Sequence, residues 1–174
     1  MQIAVDTREQ KPYTFEGYPC ATVPATLTSG DYSLTGFESE LAIERKGLSD
    51  LIGCLTRDRE RFFRELERLR GYNAAALVIE APYSDIAAGR YRSNANPAAV
   101  IQSLVAIMGR YRMPVYFADD RKAGEFFVYH FCRHWCNYHG KRLRALIAQK
   151  TIYDGHREFT NPDYTEPKGG EVDA

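Results

Sequence analysis

Three residues in the first third of the chain could do chemistry together: Asp31, Glu44 and Lys46. Residues 31–34 and 40–46 read as two strands of a hairpin that turns across Thr35-Gly36-Phe37-Glu38-Ser39. Pairing Leu34 with Leu41 puts Tyr32 opposite Ile43 and makes one face of the hairpin apolar. The same register sets Asp31 opposite Glu44, and Ser33 opposite Ala42, on the other face. Directly opposed residues hold their Cβ atoms about 4.5–5.5 Å apart, where like charges destabilise. Two carboxylates so placed need a cation between them or a shared proton. Hard oxygen donors suit Mg²⁺ or Mn²⁺. Lys46, two residues beyond Glu44 on the same face, could orient a water there or neutralise a phosphate. The same three residues also fit a plain surface hairpin solvated by ion pairs from Lys46 to Glu44 and to Asp31.

The elements around the hairpin follow from apolar periodicity. Gln2 to Asp6 is a buried strand that delivers the polar run Asp6-Thr7-Arg8-Glu9 at its end. Residues 10–30 hold Pro12, Pro19 and Pro24 and read as loop with a short strand near 21–23. A helical period runs through Leu48, Leu51, Ile52, Leu55, Phe62, Phe63, Leu66 and Leu69, divided at Thr56-Arg57-Asp58, with Thr56 or Asp58 as an N-cap. Residues 75–80 and 114–118 read as further strands and 98–111 as a helix. A long helix is expected over about 122–149, broken at Gly140. A hairpin followed by alternating helices and strands gives an α/β fold, a mixed central sheet flanked by helices.

The 174 residues, 44% apolar and 26% charged, suit one soluble domain. No apolar run approaches the roughly 20 residues of a membrane span, and no secretion signal is expected from the N-terminus. Cys20, Cys54, Cys132 and Cys136 do not form a disulfide framework pattern, so a reducing, intracellular compartment is expected. The 23 basic and 23 acidic residues cancel, but unevenly. Residues 1–150 carry a net +4 and residues 151–174 a net −4, which divides the chain into a moderately basic body and an acidic, poorly ordered tail.

Gly30-Asp31, then Glu44-Arg45-Lys46, then Asp50 resembles the GD…ERK…D signature of the XPF-type structure-specific endonucleases, part of the PD-(D/E)xK, restriction-endonuclease-like superfamily. Asp6-Thr7-Arg8-Glu9 is similar to that family's first motif. Cys54 to Arg59 resembles its later helix motif, with Asp58 standing where glycine is usual and Arg59 carrying over. Leu77-Val78-Ile79-Glu80 resembles the next core strand. The resemblance covers roughly residues 2–150 as a nuclease domain, leaving 151–174 as the tail. It implies a restriction-endonuclease-like mixed sheet and a Mg²⁺- or Mn²⁺-dependent endodeoxyribonuclease of repair or recombination. Asp31 and Glu44, with the backbone carbonyl of Arg45, would hold the metal, and Lys46 would assist the attacking water. Asp6, Arg8 and Glu9 would line the cleft, with Asp6 or Glu9 an outer or second-metal ligand. Arg45 and Asp50 would hold the site by ion pairing. Asp50 also suits a helix start through the macrodipole alone.

Arg57, Arg61, Arg64 and Arg68 recur at helical spacing. They form either a phosphate-binding stripe, in which Arg57 and Arg61 join Arg8 and Arg59 on DNA, or a solvated face paired through Glu60–Arg64 and Arg61–Glu65. His130, Cys132, His134, Cys136 and His139 share one helix but lack the spacing of a structural zinc site. The aromatics around them suggest a buried helix or, as the resemblance implies, a homodimer or heterodimer face. Branched, flap or fork DNA is the implied partner, without a membrane, in a cytoplasmic, nucleoid-associated setting if the host is bacterial or phage. The family's tandem helix-hairpin-helix domain has no counterpart in residues 151–174. The competing reading is a non-catalytic DNA-binding or scaffold subunit of a nuclease complex.

Overall fold

Six strands form one mixed sheet: β1 (Gln2–Asp6), β2 (Ala21–Ala25), β3 (Tyr32–Leu34), β4 (Leu41–Gly47), β5 (Ala74–Glu80) and β6 (Val115–Ala118). Their order across the sheet is β2-β1-β3-β4-β5-β6. The protein is described from a computed structural model covering residues 1–155. β3 runs antiparallel to β1 and β4, and every other neighbouring pair is parallel. β1, β4, β5 and β6 therefore finish along the same end of the sheet at which β3 begins. β2 carries Pro24, and it lies at the sheet edge, where a missing N–H breaks no inner ladder.

Strands covered on both faces read as nearly continuous apolar runs, as β5 and the first half of β4 do. Leu41, Ile43, Ala76 and Val78 enter one core, while Ala42, Leu77 and Ile79 enter the other. The second of these cores is closed by residues of α1 (Leu48–Leu55), α2 (Arg59–Leu69), α3 (Tyr83–Ala87) and α4 (Pro97–Tyr111). The first is closed by Tyr13 and Phe15 from the loop after β1 and by Val128, Tyr129 and Cys132 of α5 (Arg121–Gly155). The chain divides into two units, Met1–Cys136 and Asn137–Ala174, and the sheet with both cores lies in the first. In the second, Tyr138, Leu143 and Leu146 are each more than half exposed.

The expected mixed α/β architecture is observed, with local corrections. Thr56 closes α1, its hydroxyl donating to the Ile52 carbonyl at 2.7 Å. Asp58 precedes α2 but makes no capping bond, because its carboxylate faces Arg57 at 3.3 Å. α3, five residues after Pro82, is too short to show a helical period. Gly140 does not interrupt α5, since glycine costs a helix only about 1 kcal/mol and keeps its N–H. Most of the acidic tail, residues 156–174, lies outside the described residues. Among the described residues no helix is long and apolar enough to cross a membrane.

Candidate active site

The hairpin forms in the register its side chains require, with Tyr32 opposite Ile43. Tyr32, Leu34, Leu41 and Ile43 fill one core, so Asp31 and Glu44 come together on the opposite face. Gly30 makes this possible. Its φ of +81° lies in the left-handed region, and a Cβ there would meet the Ile43 carbonyl at 3.1 Å and the Ala42 Cβ at 3.2 Å. The chain thus turns tightly against β4, and the Asp31 N–H donates to the Ile43 carbonyl at 2.8 Å. Asp31 Oδ2 in turn accepts from the Arg45 N–H at 2.8 Å.

Glu44 is only 2% exposed. Burial pushes the carboxyls of both Asp31 and Glu44 above their ordinary range, and the negative charge of Asp31 raises Glu44 further. Lys46, on the same face of β4, gives its ammonium to Glu44 and lies 4.0 Å from Glu65 Oε2. Burial opposes the lysine's charge, but attraction to Glu44 outweighs it and raises the lysine pKa. Among the described residues no group of three or more His, Cys, Asp or Glu side chains could hold a metal ion. An ion here would rest on two carboxylates completed by backbone or water oxygens.

Arg45 points to the other face of β4 and joins three elements. It donates to Glu9 at 2.9 Å and 3.2 Å and to Glu80, at the end of β5, at 2.9 Å. Burial disfavours its charge, yet the two carboxylates hold it firmly ionised. The same pairing and the Lys11 N–H keep Glu9 below its ordinary value although burial acts the other way. Asp6 ends β1 with both oxygens engaged. It accepts from Arg8 Nε at 2.7 Å, Arg8 Nη2 at 2.9 Å, and the N–H groups of Arg8 and Leu27 at 2.8 Å each. The Arg8 guanidinium, against the opposing effect of burial, lowers its pKa.

A cleft of about 430 Å³ opens over this end of the sheet. Arg8, Glu9, Asp31, Arg45, Lys46, Asp50, Arg57 and Arg61, all singled out in the sequence, line it, whereas Asp6, expected there, does not; the buried Glu44 lies behind the lining against Lys46. Arg59 is not among the residues lining the cleft: it donates to the Leu55 carbonyl at 3.0 Å and stacks 4.6 Å from Phe63, whereas Arg61, two residues on, lines it. Ion pairing at the site differs from expectation. Arg45 pairs with Glu9 and Glu80, whereas Asp50 makes no ion pair among the described residues. The arginine stripe divides as well. Arg64 reaches Glu60 at 3.9 Å in solvent, and Arg68 donates to Ser29 at 3.2 Å, bracing the segment before Gly30.

Glu80 and Glu65 escaped the sequence reading. Glu80 ends a buried strand with a charge, as Asp6 does, and that signal could have marked it. Glu65 had an obvious partner in Arg61 one helical turn away, which masked its turn toward Lys46.

The ERCC4 domain family model matches residues 5–131. No curated protein sequence matches the chain. Among solved structures, XPF from Aeropyrum pernix is similar at 21% identity and a TM-score of 0.65, over 86% of this chain and 73% of that one. XPF from Aeropyrum pernix in complex with DNA is similar at 22% identity and a TM-score of 0.63, over 78% of this chain and 65% of that one. At these identities the two structures establish a shared fold, a mixed sheet flanked by helices.

Proposed function

The chain belongs to the ERCC4 domain family, and from that premise we propose that it is a divalent-cation-dependent DNA endonuclease acting on branched or flap-containing DNA. The observation that carries this reading is the Asp31–Glu44 pair, raised in pKa by burial and facing Lys46 in a cleft rimmed by arginines. The donor set fits a hard cation: every available ligand atom is an oxygen, and the pair is short of positive charge. Asp31, Glu44 and the backbone carbonyl of Arg45 would hold Mg²⁺ or Mn²⁺. When bound, the ion supplies Lewis-acid stabilisation of charge developing on the phosphate.

The chain's own groups do the rest. Arg8, Arg57 and Arg61 bind backbone phosphates along the cleft, since each is exposed to solvent even where, as for Arg8 and Arg57, one edge is paired with a carboxylate. Asp6 acts through Arg8, fixing the guanidinium by two side-chain bonds. Lys46 orients the water that adds across the P–O bond or neutralises the phosphate oxygen facing it. Arg45, Glu9 and Glu80 tie the segment after β1 to β4 and β5 so that the carboxylates stay in place. Self-association through α5, with a second copy or a related chain, belongs to the same proposal.

Labelled flap, fork and duplex DNA incubated with Mg²⁺ or Mn²⁺ provide the test. The unsubstituted chain should nick a branched substrate, and EDTA or Glu44→Ala should reduce cleavage by about 100-fold or more. Binding of all three DNAs without cleavage by either metal would replace this reading with a scaffold role.

A further inference from the structure

Glu65 is oddly placed for a surface glutamate. Arg61 lies one turn back on α2, yet no ion pair joins them, and among the described residues Lys46 is the only cation within pairing distance. The Glu65 side chain is 27% exposed, more than either Lys46 or Glu44. Its negative charge adds to that of Asp31 in raising the Glu44 carboxyl. Phe62, on the same side of α2, places its ring 5.7 Å from the Lys46 ammonium, so α2 flanks the lysine with an aromatic and an acid.

Lys46 and a divalent cation compete for one partner. The ammonium sits on a Glu44 oxygen, and a cation held by Asp31 and Glu44 would need that carboxylate and repel the ammonium. A lysine's long stem lets its charge swing while its backbone stays in β4. We propose that Glu65 is the second berth of Lys46: it takes the ammonium when a cation occupies Asp31 and Glu44, and so lowers the cost of loading the site. Glu65 is thus a positioning residue that acts through Lys46. This rests on the cation-dependent reading above.

The test is Mn²⁺ binding by the full chain, followed by the electron paramagnetic resonance signal of free Mn²⁺, without DNA. Four proteins are compared: unsubstituted, Glu65→Gln, Lys46→Met and the double variant. Glu65→Gln should weaken Mn²⁺ binding about three- to tenfold with Lys46 present and have no effect in the Lys46→Met background, the signature of coupled residues. Glu65→Asp, which keeps the charge, should restore most of the affinity and guards against a folding artefact in the glutamine variant. Equal weakening in both backgrounds would mean that Glu65 acts on the cation itself and would overturn the proposal, as would no weakening at all. An unsubstituted chain that takes up no Mn²⁺ would overturn the cation site and this role together. One that binds Mn²⁺ without the coupling would overturn this role alone.

Discussion

Asp31 and Glu44 share a single nearby ammonium, and Lys46 gives it to Glu44. Without a divalent ion, the negative charge on Asp31 is a cost the fold carries for the sake of the site, consistent with its raised pKa. Asparagine would keep the acceptor for the Arg45 N–H while removing that charge. Asp31→Asn should therefore raise stability in EDTA at neutral pH by about 1 kcal/mol, read from urea unfolding, and should lose cleavage and the stabilisation added by Mg²⁺. A destabilised Asp31→Asn in EDTA would show that the hairpin depends on the charge for structure.

The segment before β3 is as decisive as the hairpin itself. Gly30 combines a left-handed φ with a close approach to β4, and Arg68 of α2 braces Ser29 immediately before it. A methyl group here would have to move backbone atoms of Ile43, which no rotamer change can relieve. Gly30→Ala should cost about 1–3 kcal/mol and displace Asp31, so thermal unfolding and Mn²⁺ affinity should fall together. By contrast, Gly36 at the hairpin tip has open space where its Cβ would be, so a change there pays only for its positive φ.

At the scale of the molecule, the direction of the strands gathers the site. β1, β4 and β5 bring Asp6, Glu44 to Lys46, and Glu80 to one end of the sheet, and the reversed β3 brings Asp31 to the same end. Ligands favour the carboxyl ends of strands in α/β sheets for this reason. The first unit also presents a half-exposed aromatic, Phe126 of α5, 51% exposed and 4.2 Å from the His130 ring. If self-association uses this face, the unsubstituted chain should dimerise at micromolar concentration in light scattering and Phe126→Glu should shift it toward monomer. A monomer under both conditions would remove self-association from the proposal.

The hairpin, its register and the facing carboxylates were legible in the sequence because strand side chains alternate with a period of two. One apolar face compels the other to carry Asp31 and Glu44. The helical spans of α1, α2 and α4 were legible for the corresponding reason. Only the tertiary structure decided which partners the charges take. Arg45 meets Glu80 because β5 lies parallel beside β4, and Glu65 meets Lys46 because α2 crosses that face of the sheet. Arg59 and Arg61 differ by two positions on one helix, yet one packs on Phe63 and the other lines the cleft. Periodicity states which residues share a face, whereas the packing of elements far apart in sequence decides what that face meets.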